Sequence, residues 1–277
     1  MLTSSPSPRK EVLDELLQTL DSGITARSIA SPLSPALQVK DSTSKALKYM
    51  EEHKYDRVVV ADGDSTIGYV DIKNLEKLEG DGDTLVEKFV STFEPDLLIS
   101  EETPLPVVLH RLQRQSSLFI VGRDGLNAIV TPADVEKQFM RVYAFGLVSL
   151  MEQELGQLLE NLPCDIVAEA IPDESERKDF RTLFRGKESV DAELAPIYYA
   201  CLGIKIKLFV KQSENWKLLG DSKKHARFRL IKILKLRNKL DHVNPLITRT
   251  DSLENLDATL GDLTDVIRIL ESVTEQT

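Results

Sequence analysis

The stretch EETPLPVVLHRLQRQSSLFIVGRDGLNAIVTPADVEK, residues 101–137, lies without a gap over DSTSKALKYMEEHKYDRVVVADGDSTIGYVDIKNLEK, residues 41–77, when the chain is slid against itself by 60 positions. Thr43 meets Thr103, Asp64 meets Asp124, Val70 meets Val130, and Glu76-Lys77 meets Glu136-Lys137. Where identities fail, apolar classes match: Val58-Val59-Val60 faces Leu118-Phe119-Ile120, and Leu47 faces Val107. One register held over the whole stretch indicates an internal duplication. Each copy reads as a helix (Ala46 to Glu52; Pro106 to Gln113), a β-branched strand, a polar turn, a second strand and a short helix, a β-α-β-β-α unit.

Those residues, and NAIVTPADVEK in the second copy above all, resemble a tandem pair of cystathionine-β-synthase (CBS) domains, whose strand end is followed by Ser/Thr-x-x-Asp. The resemblance implies a site for an adenine nucleotide such as AMP or ATP in the cleft between copies. There Thr131 would bond phosphate or ribose and Asp134 would accept from the ribose hydroxyls. The same four residues also read as a capping box, with Thr131 as cap, Pro132 in the first helical position and Asp134 reaching back to the cap N–H. The two roles are compatible, because a helix N-terminus also attracts phosphate. The first copy carries Asp71 and Asn74 at these positions, and an acid at 71 repels phosphate, so at most one competent site is expected.

After Lys137 the apolar period changes from 2 to about 3.6 residues. Met140, Tyr143, Leu147, Leu150, Met151, Leu155, Leu158 and Leu162 form one helical stripe that Pro163 ends. A second stripe runs from a cap at Asp191 to Phe209, a third carries Phe228 to Leu236, and a fourth follows Asp251-Ser252-Leu253-Glu254. A fifth helix is expected between Glu174 and Arg185. The fold class is therefore α+β, an N-terminal pair of β-α-β-β-α repeats followed by an all-α bundle. The expected divisions are an N-terminal segment with a short helix (1–24), the repeat pair (25–137, copies at about 25–80 and 85–137) and the helical bundle (138–277).

The third stripe closes on LRNKLDH, residues 236–242. Arg237 and His242 are five apart, so their directions from the helix axis differ by about 140°, and Asn238 and His242 share a face. A histidine can move a proton, an arginine can clamp phosphate and an asparagine can orient either, which suffices for metal-free RNA cleavage through the substrate's own 2′-hydroxyl. The plainer alternative pairs Arg237 with a nearby acid and lets His242 cap the helix. Together with YYACLGIKIKLFV and NWKLL, the motif Arg-Asn-x-x-x-His resembles the HEPN superfamily (higher eukaryotes and prokaryotes nucleotide-binding), over residues 138 to 275. That resemblance implies a homodimer whose paired motifs, Arg237, Asn238 and His242, form one endoribonuclease site, with Glu152, or else Glu154, as an added acid. A toxin-like or antiviral role is implied by the resemblance alone. Asp241 beside His242 departs from the many relatives that carry a small residue there.

The chain of 277 residues has a formal charge of −10, against a general DNA coat. From Lys205 to Lys239, however, twelve lysines and arginines meet only Glu214 and Asp221, a local site for an anion. Lys223, Lys224 and Arg227 are expected to guide an RNA backbone. No side-chain cluster suggests a metal, and Cys164 and Cys201 are expected as buried free thiols. No long apolar run or signal pattern is present, so the expected setting is cytoplasmic, with no membrane and no DNA specificity. The functions this supports are a nucleotide-regulated ribonuclease or, in a different class, a non-catalytic nucleotide-sensing adaptor that binds protein or RNA through its helical half.

Overall fold

The computed structural model describes residues 8–33, 36–77, 84–187, 194–212, 215–220 and 222–274. The chain divides into two units, residues 21–140, and residues 1–20 with 141–277. The segment expected to stand apart at the N-terminus is mostly α1 (Pro8–Gly23), whose Leu13 and Leu17 are buried. Its Leu20 fills the space beside Gly146, so its first part belongs with the helical unit.

In the unit of residues 21–140, α2 (Ala26–Ile29) and β1 (Ser31–Pro32) precede the first copy, which runs β2 (Leu37–Gln38), α3 (Thr43–His53), β3 (Arg57–Asp62), β4 (Ser65–Asp71) and α4 (Ile72–Glu76). The second copy runs β5 (Leu98–Ser100), α5 (Leu105–Leu112), β6 (Leu118–Gly122) and β7 (Gly125–Val130), then a 3-10 turn over Pro132–Glu136. One sheet has the order β2-β3-β4 and the other β1-β7-β6-β5. In each, the first strand is parallel to the second and the hairpin is antiparallel. The hairpin bulges also coincide, between Val60 and Ala61 and between Ile120 and Val121, 60 residues apart.

The lead-in strands are exchanged. Ser31 pairs with Ile129 of the second copy, and Ser91, 60 residues on, bridges to Tyr69 of the first. Each sheet thus takes its outer segment from the chain preceding the other copy, which knits the pair into one core. Val59, Tyr69, Leu97 and Phe119 pack at its centre, with Phe93 edge-on to Phe119. Burying such side chains contributes roughly 1.5–3 kcal/mol each. Gly68 is required at this exchange, since a Cβ there would meet the Ser91 carbonyl and Val90. At the equivalent place in the second copy, Ala128 faces Pro32.

The helical unit is built on α6 (Gln138–Leu158), α7 (Cys164–Ala170), α8 (Glu174–Lys187), α9 (Leu202–Lys211), α10 (Lys223–Asp241) and α11 (Leu253–Thr274). Tyr143, Leu147, Met151 and Leu155 of α6, Leu230, Ile233 and Leu236 of α10, and Leu260, Leu263 and Ile267 of α11 are buried. Several expectations are corrected. The second stripe is not one helix: Pro196–Tyr199 is a 3-10 turn, Ala200 is extended, and α9 starts only at Leu202, while Asp191 lies outside the described residues. Helix is not continuous from the repeat into Leu147, because Lys137 is extended (φ −68°, ψ 155°) between the 3-10 turn and α6. Cys201 is exposed and Cys164 half-buried, so neither is a buried thiol. No described helix is long and apolar enough to cross a membrane.

Candidate functional site

The Thr131 motif forms the capping box its spacing predicts. The Thr131 N–H and hydroxyl donate to one Asp134 oxygen at 2.7 and 2.8 Å. The other oxygen accepts from the Ser31 hydroxyl at 2.7 Å and the Lys137 ammonium at 2.8 Å. Lys137 also donates to the carbonyls of Ile29 and Ala30 and to the Ser31 hydroxyl. Asp134 is 5% exposed, and burial alone would raise its carboxyl; the donors from Lys137, Ser31 and Thr131 outweigh that and hold it below the ordinary value. This polar node therefore gathers three pieces of chain: the lead-in strand β1, the end of β7 and the residue that opens onto α6. Thr131 and Asp134 were legible in the sequence. Ser31 and Lys137 were not, because only the strand exchange brings residue 31 to residue 134.

The equivalent place in the first copy is built differently. Asp71 caps α4 by accepting from the Lys73 N–H at 3.0 Å, and it pairs with the Arg57 guanidinium at 3.0 Å. Arg57 in turn donates to the Ser117 hydroxyl, at the position 60 residues on from its own. A carboxylate already neutralised by arginine stands where the second copy offers a hydroxyl.

In the helical unit, α10 carries eight lysines and arginines against the single acid Asp241. Its end is closed by the His242 N–H to the Asn238 carbonyl and the Asn244 N–H to the Lys239 carbonyl, with Val243 in the left-handed region at φ 54°. Asn238 and His242 line one depression with Lys235, Lys239, Asn244 and Asp251. Arg237 does not line it; its guanidinium pairs with Asp241 one turn on. Within one chain the motif is thus split, Asn238 and His242 to one side and Arg237 to another. Glu152 accepts from the Lys205 ammonium at 2.8 Å, and Lys205 is buried. Glu154 is buried as well. Lys223, Lys224 and Arg227 lie along a separate groove between α9 and α10 whose floor is Ile206, Val210, Ile231 and Leu234. No group of histidines, cysteines and acids able to hold a metal occurs among the described residues.

Residues 27–79 match the family model for the CBS domain. A curated relative, zinc metalloprotease MJ0392 of Methanocaldococcus jannaschii, is 27% identical over 120 residues, 43% of this chain and 33% of that protein; the chain thus spans a third of that relative's length. Among solved structures, the CBS domain of a bacterial CNNM/CorC family Mg2+ transporter in complex with ATP is 23% identical, covering 48% of this chain and 98% of that one, with a TM-score of 0.37. CBSX2 in complex with AMP is 20% identical, covering 43% and 98%, also at 0.37. The first half of the chain therefore carries a CBS domain at residues 27–79, followed by a second copy built on the same strand plan.

Proposed function

We propose that the protein is an adenine-nucleotide-responsive regulator, with the paired repeats as sensor and the helical unit as a non-catalytic effector that engages RNA or protein. The observation that carries this reading is the node of Ser31, Thr131, Asp134 and Lys137 within a duplicated CBS-type unit. In the proposed complex, ribose hydroxyls replace Ser31 and Lys137 as donors to Asp134. The freed Lys137 ammonium and the Thr131 hydroxyl then meet phosphate. The first copy stays empty, since Asp71 is committed to Arg57 and to its helix cap. AMP and ATP are the nucleotides held by the two solved relatives, which makes them the ligands to try first.

Lys137 immediately precedes α6, so any ligand that rearranges it acts on the first residue of that helix. Only a ligand with different affinity for two arrangements shifts their balance. The test is thermal melting with AMP, ADP, ATP and GTP. A ligand at 100 times its Kd stabilises by about 2.7 kcal/mol, enough to raise the melting temperature by several degrees. No shift with any adenine nucleotide would remove the sensor.

A second reading is a HEPN-type, metal-independent endoribonuclease acting as a homodimer. It is favoured by the shared depression of Asn238 and His242 at the end of a strongly basic helix. Because Arg237 is directed elsewhere within one chain, this reading needs the second protomer to complete the site. Its test is cleavage of total RNA in EDTA by the wild type and by His242→Ala. Cutting that the variant loses supports it, and no cutting under any nucleotide condition leaves the adaptor.

A further inference from the structure

The depression holding Asn238 and His242 continues along α10. Lys235, Lys239 and Asp251 belong both to it and to a second depression lined by Phe228, Lys232, Leu236, Asn255, Leu256 and Thr259. Phe228, Lys232, Lys235 and Lys239 recur at helical spacing and fall within a sector of about 60°, so α10 and the start of α11 wall one path ending at His242. Two features of this path are unlike an ordinary solvated helix face. Phe228 is 57% exposed, a large apolar ring left in water. The Lys232 ammonium sits 4.8 Å from its centroid, a cation over an aromatic face. Of the other lysines, Lys239 is engaged by Asp251 and the Leu246 carbonyl, which leaves Lys232 and Lys235 as the charges directed to a ligand.

We propose that this α10–α11 face binds single-stranded RNA, with Phe228 as the stacking platform for a base and Lys232 and Lys235 as phosphate contacts. It rests on the reading of the helical unit as an effector and names its ligand class. An exposed ring with an adjoining ammonium matches the alternation of base and phosphate along a single strand, and every base has a face to stack. A base-paired strand keeps its bases in the stack, where Phe228 cannot reach them. Asn238 and Asn255 line the same path and supply amide groups for base edges. An acidic peptide would satisfy the lysines but would make no use of the ring in this way.

The experiment uses the full chain and fluorescence anisotropy with a labelled 2′-O-methyl RNA of about twelve nucleotides, which cannot be cleaved through its 2′-oxygen. The wild type should bind the single strand more tightly than the same sequence in a duplex. Phe228→Ala, with melting unchanged, should weaken it roughly tenfold. Lys232→Gln with Lys235→Gln should flatten the salt dependence by about one unit of log-log slope. Labelled polyglutamate bound as tightly as RNA, or Phe228→Ala binding RNA like the wild type, would overturn the proposal, and so would failure of the wild type to bind at low salt. The nucleotide melting shift and the cleavage assay read the other two functional claims separately, so either can stand when this one fails.

Discussion

Asp134 and Glu152 show how a carboxylate read as functional can also hold a fold together. Asp134 receives donors from Thr131, Ser31 and Lys137, and its carboxyl is held below its ordinary 3.8 despite burial. A depressed carboxyl stabilises the folded state above its unfolded pKa, and that contribution is lost as pH falls through the folded one. The wild type should therefore exceed Asp134→Asn by about 2 kcal/mol at pH 7, with the gap closing only below about pH 4 in melting curves. Glu152 answers the buried Lys205 ammonium. Glu152→Ala leaves that charge uncompensated and should cost about 3 kcal/mol by denaturant titration. An unchanged midpoint would return Glu152 to the set of purely catalytic candidates.

At the scale of elements, the strand exchange is the feature on which the sensor site depends. Gly68→Ala pushes against the Ser91 carbonyl and Val90, and should destabilise by about 1–3 kcal/mol, whereas Ala128→Gly should cost about 1 kcal/mol or less. Equal losses in the two variants would show that the exchange is not tightly packed. The 60-residue repeat made the hairpins, their helices and the Thr131 cap legible, because alternation of apolar residues and capping chemistry are local signals. Ser31 was not legible as a partner of Asp134: nothing local to residue 31 says that its strand joins the other copy. The split of the α9 stripe was hidden too, because Ala195-Pro196 starts a 3-10 turn within a periodicity that continues across it. On α10 the sequence pointed to Lys223, Lys224 and Arg227, which lie on the α9 side, while Phe228 read as an ordinary core residue and is instead exposed.

At the scale of the molecule, an acidic chain concentrates its positive charge on α10, separating a nucleotide-type node in one unit from a basic face in the other. Sensing is the claim on which the rest of the account depends, and one substitution isolates it. Thr131→Asp places in the second copy the acid that the first copy carries at Asp71, where it caps α4. Aspartate is a good helix cap, so the local fold is provided for while phosphate is repelled. Calorimetric titration of AMP and ATP into the wild type and Thr131→Asp is the decisive measurement, with melting of both proteins as the check on folding. The account predicts saturable binding by the wild type and at least tenfold weaker binding by a folded Thr131→Asp. Absence of heat with the wild type, or equal affinity in the two proteins, would contradict it.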